Sequence, residues 1–303
     1  MQMETPLLHV VIPAYGSSPF LETAIKSAIA SVATSTPITV LDDASPTNHV
    51  KETSAKFNNR VDYIRNETNL GLATNFFEAF KISQGLFTVV LGSDDQMLPG
   101  YEAALTSALG MYPNATVVHP IVGVIDGEGK SCEPLVDRIK TSIRGEISQI
   151  TLLNNVVFCK KLFIGNFMYF PATAWRTEDL RKANWNLSYK HAVDMDLLFK
   201  LATDGAEFVF TPETTFNYRR HSESVSSVLA NEDTRLNEEL AVHWFAKRAL
   251  SNSDPGFMIL AMAQIAPTIR IHALIIGLKQ ITKNPYKGLR HIAKALAPIK
   301  PIN

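Results

Sequence analysis

The feature that most constrains this 303-residue chain is an alternation in its first third, where short apolar runs are separated by segments of helical spacing. Leu7–Pro13 reads LLHVVIP, a valine-rich run closed by proline, and consecutive apolar positions over so short a length suit a strand covered on both faces. Phe20–Val32 places Leu21, Ala24, Ile25, Ala28, Ile29 and Val32 on one helical face. Pro37–Leu41 predicts a second buried strand, Val61–Ile64 a short third and Leu86–Leu91 a fourth. Leu72–Ile82, with Phe76, Phe77 and Phe80, predicts the helix before that fourth strand. Strands separated by helices are joined by right-handed crossovers and lie parallel. The expected fold is therefore α/β, a Rossmann-like, mostly parallel sheet flanked by helices. A further strand is expected over Thr116–Ile125, then a polar loop through Gly127 and Gly129, a helix over Ala192–Thr203 and a strand over Ala206–Phe210. Beyond Leu229 the chain reads as mostly helix.

Ligands of such sheets gather beyond the carboxyl ends of the strands. Those ends carry Pro13-Ala14-Tyr15, Asp42-Asp43, Arg65-Asn66 and Ser93-Asp94-Asp95. Asp94 and Asp95 fall in a tight strand-to-helix loop before Pro99, and adjacent carboxylates repel unless a cation or water relieves them. Mg²⁺ or Mn²⁺ suits such oxygen ligands; a solvated turn is the alternative. Asp42 or Asp43 could accept hydrogen bonds from a base or ribose, or form a turn in which Ser45 or Thr47 caps the next helix. Asn69 and Gly71 open the helix that carries Asn75. Free amides there favour an anion, and Arg65 offers a planar donor for phosphate or base; a plain N-cap and a surface arginine are the alternative. Asp194 and Asp196 stand in the first turn of their helix, and at roughly 100° per residue they point to nearly opposite sides. Helix-dipole stabilisation explains either one, and the same dipole would keep a base ionised. Arg219, Arg220 and His221 could hold diphosphate oxygens and complete a metal shell, with a basic surface turn as the default and Ser224 and Ser226 following.

Composition narrows the classes. Lys plus Arg and Asp plus Glu balance at 29 each, so no net field draws the chain to nucleic acid. Cys132 and Cys159 fit no zinc or haem spacing, and a reducing compartment is expected. The start, MQMETPLLHVVIPAY, reads as no signal peptide, and Phe257–Leu278 is interrupted by Gln264, Pro267, Arg270 and His272, which argues against a spanning helix. In the tail, Ile265, Ile269, His272, Ile275 and Ile276 form an apolar face, while Lys279, Lys283, Lys287, Arg290, His291 and Lys294 form a basic cluster. A packed terminal helix or an oligomer contact is one reading; peripheral contact with anionic lipid is the other.

In order, VVIPAY, VLDDAS, RNETNLGLATN, VVLGSDDQMLP, VDMDLLFKLATDG and YRRHSESVS resemble the family 2 glycosyltransferases of the GT-A fold, inverting and of bacterial type. The likeness spans residues 7–228. It implies an enzyme that moves a sugar from a nucleotide diphosphate donor, UDP being the favoured base, to a hydroxyl of a saccharide or lipid-linked acceptor with a divalent cation, Mn²⁺ or Mg²⁺. It implies that Pro13, Ala14 and Tyr15 line the base, that Asp42 or Asp43 bonds it, and that Arg65 with Asn69–Asn75 flanks base and phosphates. Asp94 and Asp95 match the acidic pair, with Asp95 the metal ligand; Asp194 matches the general base and Asp196 a structural aspartate. His221 joins the metal, and Arg219 and Arg220 close over the diphosphate. The sequence departs from the pattern twice: the strict Asp-x-Asp is absent, and Val193 stands where glutamate often precedes the base. The implied division is a catalytic domain over 1–228, with a nucleotide-binding half over 1–115 and an acceptor half over 116–228, then a helical region over 229–303. Cell-surface polysaccharide assembly on the cytoplasmic side of a membrane is the implied setting. A sugar nucleotidyltransferase would want a glycine-rich basic loop where PAYGSSPF stands, a dinucleotide oxidoreductase would want Gly-x-Gly-x-x-Gly there, and a nucleotide-sugar-binding protein without turnover is the non-catalytic alternative.

Overall fold

The computed structural model describes residues 5–221, 233–251, 267–281 and 284–296. Residues 1–4, Ser224, Ser226, Ile265, Lys283 and the expected boundary at 228/229 lie outside the described residues, as do the side chains of His272 and Lys279. The first half runs β1 (Leu8–Ala14), α1 (Leu21–Ser31), β2 (Ile38–Asp42), α2 (His49–Ala55), β3 (Asp62–Arg65), α3 (Leu72–Ile82), β4 (Phe87–Val90), β5 (Gln96–Met97) and α4 (Tyr101–Met111). Then come β6 (Val117–Ile125), α5 (Leu135–Arg144), β7 (Thr151–Leu153), α6 (Asn155–Ile164), a 3₁₀ turn at Phe170–Ala172, β8 (Ala174–Arg176), α7 (Thr177–Lys182), α8 (Val193–Thr203) and β9 (Phe208–Arg219). Three helices follow: α9 (Asp233–Ser251), α10 (Pro267–Ile281) and α11 (Pro285–Leu296).

All nine strands form one sheet in the order β3-β2-β1-β4-β8-β6-β9-β5, with β7 also on β9. Side chains alternate between its faces, as the two-residue strand period requires. From β1, Val11 joins a core with α3, α6 and α8, whereas Val10 and Ile12 join a second core with α1 and α4. The expected strands and helices of the first ninety or so residues recur with ends shifted by a residue or two, within the usual fraying.

The α/β class with flanking helices holds, and parallel pairing holds for β3-β2-β1-β4 and for β6-β9. Beyond that the sheet is mixed, because β5, β7 and β8 pair antiparallel. These strands are two, three and three residues long, too short to leave a period in the sequence. The strand expected to end at Phe210 instead runs on through Pro212 to Arg219. Proline cannot donate to a ladder, and the β6-β9 register shifts between His119 and Val122, opposite that stretch.

Candidate active site

Parallel register brings the ends of the first strands together. Ala14 pairs with Asp42, and Asp42 with Arg65, at the same edge where β4 gives way to Gly92–Asp95. Tyr15 projects from this edge and is exposed, while Pro13 and Ala14 are buried. Asp42 is fully buried: Oδ1 accepts from Ser45 N at 2.8 Å, and Oδ2 accepts from Tyr63 Oη and Arg65 Nη1, each at 2.6 Å. Burial pushes its pKa up, but these bonds outweigh it and hold the carboxyl below its ordinary value. Asp43 orders the donor-side loop, with Oδ1 accepting from Asn66 Nδ2 and Leu70 N, and Oδ2 from Gly71 N at 2.9 Å. Asn69 Oδ1 also accepts from Gly71 N, and Asn75 Oδ1 accepts from Asn66 Nδ2. Gly71, at φ 77°, makes the left-handed entry to α3 that a side chain would strain. Both aspartates thus shape the edge that surrounds exposed Arg65, and any ligand bond to them is shared with protein donors.

At the acidic pair, Asp95 is buried; Oδ1 accepts from Arg219 N at 2.8 Å and Oδ2 has no protein partner. Burial, and next the charge of Asp94, push the Asp95 pKa well up. Asp94 Oδ2 lies 2.9 Å from His221 Nε2. There is no room for a side chain at residue 92, where a Cβ would meet Asp95 Oδ2 at 2.5 Å. Two carboxylates and an imidazole are a donor set suited to Mn²⁺ or Mg²⁺, and an orphaned buried carboxylate oxygen is what a missing cation would leave. Among the described residues, no three His, Cys, Asp or Glu converge as a ready-made metal cluster.

The strand alternation of β9 separates the two arginines. Arg219 is buried, with Nε donating to Asp94 O at 2.7 Å and Nη1 to Asp126 O at 2.9 Å, and its guanidinium lies 4.5 Å from the Phe20 ring centre. Phe20 also meets the His221 ring edge-on at 4.9 Å, tying the β1–α1 loop to this corner. Arg220 turns the other way and forms a bidentate pair with buried Asp137, at 3.0 and 2.8 Å. Tyr169 Oη donates to the same Asp137 at 2.7 Å. Lys140 lies over the Tyr169 ring, 4.1 Å from its centre, and donates to Met168 O. A network thus runs from the acidic pair through residues 219 and 220 to α5 and onward to α8.

Asp194 ends that network. Its Oδ2 accepts from Asn166 Nδ2 and its Oδ1 from Met195 N, each at 2.8 Å. Burial raises its pKa, and the charge of Lys140 is the largest influence opposing that rise. Asp196 points elsewhere, to Lys200 Nζ at 2.6 Å. Sequence reasoning missed Asn166, Asp137, Lys140, Tyr169 and Phe20. Each looks locally like an ordinary loop, surface-helix or core residue, and only the tertiary arrangement brings them to the site.

A mixed sheet with two acidic clusters at its carboxyl edge and a shielded aspartate opposite defines a glycosyltransferase of the GT-A fold. The pattern of Glycosyl transferase family 2 matches residues 9–170, and the chain belongs to that family. A glycosyltransferase of undetermined role from Haemophilus influenzae is 24% identical over 242 residues, which cover 78% of this chain and 72% of that one. Chondroitin synthase of Escherichia coli is 24% identical over 223 residues, 73% of this chain but only 30% of that protein. Among solved structures, residues 1–349 of S. aureus TarS, in complex with UDP-GlcNAc, superpose with a TM-score of 0.71 at 14% identity, covering 97% of this chain and 82% of that one.

Proposed function

We propose that this chain is an inverting, metal-dependent transferase that moves a sugar from a UDP-sugar to a hydroxyl of a saccharide or lipid-linked acceptor. Family membership makes glycosyl transfer the activity; the finer reading rests on the orphaned Asp95 oxygen beside the Asp94–His221 pair. UDP is the base because structurally similar TarS is in complex with UDP-GlcNAc. Tyr15 and Arg65 stand exposed at the edge to flank the base, with Pro13, Ala14, Asp42 and Asp43 shaping the floor and Asn69, Gly71 and Asn75 the phosphate side. Asp94, Asp95 and His221 would hold Mn²⁺ or Mg²⁺, which supplies positive charge to the leaving diphosphate. Arg219 braces that corner, and Arg220 adds positive charge on the acceptor side.

Asp194 takes the proton from the acceptor hydroxyl as its oxygen bonds the sugar carbon, and the bond from that carbon to the diphosphate oxygen breaks. One displacement inverts the carbon. General-base assistance contributes roughly 10²–10⁴-fold. Incubation with a panel of nucleotide sugars, Mn²⁺ and oligosaccharide acceptors should release nucleotide diphosphate, and Asp194→Asn should lose turnover by about that factor while binding donor normally. Because burial raises the Asp194 pKa, its ionised form costs folding free energy at neutral pH, so the same variant should melt no lower than the parent. Normal turnover by a folded Asp194→Asn would remove Asp194 from the mechanism.

A further inference from the structure

The formal charge of zero conceals a split. Residues 255–303 carry 7 of the 29 Lys and Arg and none of the 29 Asp and Glu, so the tail is +7 and everything before it −7. The two tail helices are built around a shared small core of Leu236, Leu240, Ile269, Ala273 and Ala295. They cross closely: a Cβ on Gly288 would meet the backbone of Ile281 at 2.7 Å and Gly277 O at 2.9 Å. The hairpin is thus a compact unit whose outward faces can be read from helical spacing.

Those faces are apolar. On α10, Ile271, Leu274, Ile275 and Leu278 follow the spacing of one stripe and are 39–55% exposed, opposite the buried Ile269, Ala273 and Ile276. On α11, Tyr286, Leu289 and Leu296 form a second stripe at 57–80% exposure, opposite buried Gly288 and Ala295. Exposed Lys287 and Arg290 flank this second stripe. Large apolar side chains gathered on one surface mark a site of association, and a basic flank selects an anionic partner.

We propose that the α10–α11 hairpin docks on an anionic lipid surface, with the two stripes entering the headgroup boundary and the lysines and arginines meeting lipid phosphates. Symmetric pairing with a second copy through this face would bring two basic surfaces together and is disfavoured. The proposal stands apart from the transferase reading, since neither stripe contains a site residue.

The full chain should co-sediment with phosphatidylglycerol–phosphatidylcholine vesicles at roughly 0.05 M salt and much less at about 0.5 M. Binding to phosphatidylcholine alone should be weaker by about tenfold or more, because each basic residue near an anionic surface adds on the order of a further fivefold in binding. Lys287→Glu/Arg290→Glu should weaken anionic-vesicle binding by more than about tenfold, and Leu274→Ser/Leu278→Ser should weaken it at either salt. Each variant should keep the parent's melting temperature. Equal binding to both vesicle types, or none, by the unmodified chain overturns the proposal without reference to any variant. So does a dimer in light scattering that the leucine variant dissolves while vesicles go unbound, which would make the face a contact between copies.

Discussion

Lys140 shows how one side chain can set the working range of another. Its own pKa is pushed down to about 8, first by burial and then by the charge of Arg220, and its cation opposes the burial that raises the pKa of Asp194. Removing that cation leaves the burial less opposed, so Asp194 should hold its proton to a higher pH. Lys140→Met should therefore shift the acidic limb of kcat upward in pH, with Lys140→Arg restoring it; an unmoved limb in a folded variant would break the link. Nothing in the sequence marks this pair, because Lys140 and Asp194 lie on helices 54 positions apart in a stretch whose local pattern is weak. Asp94 and Asp95 were visible for the opposite reason: two adjacent carboxylates ending an apolar strand are anomalous without any knowledge of their neighbours.

At the scale of elements, α8 depends on α9. The carboxylate of Glu238, buried on α9, accepts from Lys190 N at 3.0 Å, His191 N at 2.8 Å and Ala192 N at 3.1 Å, the amides that lead into α8. A helix start leaves such donors unsatisfied, and an anion there also complements the dipole. Glu238 thus fixes the approach to Asp194 from a helix beyond the region matched by the family. Glu238→Ala strands buried donors, at a cost of about 1–3 kcal/mol. It should lower the melting temperature and depress kcat more than it raises the KM for donor; unchanged kcat in a folded variant would make Glu238 purely structural. The parallel strands β1 to β4 could be read from the sequence because each is an uninterrupted apolar run between helices. β9 could not be read to its full length, because Pro212 looks like an end and the bulge that accommodates it is a property of the pairing with β6.

For the molecule as a whole, the sheet sorts the functions. The nucleotide edge is built from consecutive strands and was legible, whereas the acceptor side is assembled from α5, the loop before the 3₁₀ turn, α8 and α9, whose contacts are long-range. No described helix is long and apolar enough to cross a membrane. The account turns on a cation and a diphosphate meeting at Asp94, Asp95 and His221. Titrating UDP calorimetrically into the full chain, with Mn²⁺ and then with EDTA, tests it most directly. The account predicts binding that Mn²⁺ tightens by at least about tenfold, worth on the order of 1.4 kcal/mol, and that Asp95→Asn reduces to the EDTA level. UDP affinity indifferent to both Mn²⁺ and the Asp95 substitution would contradict it.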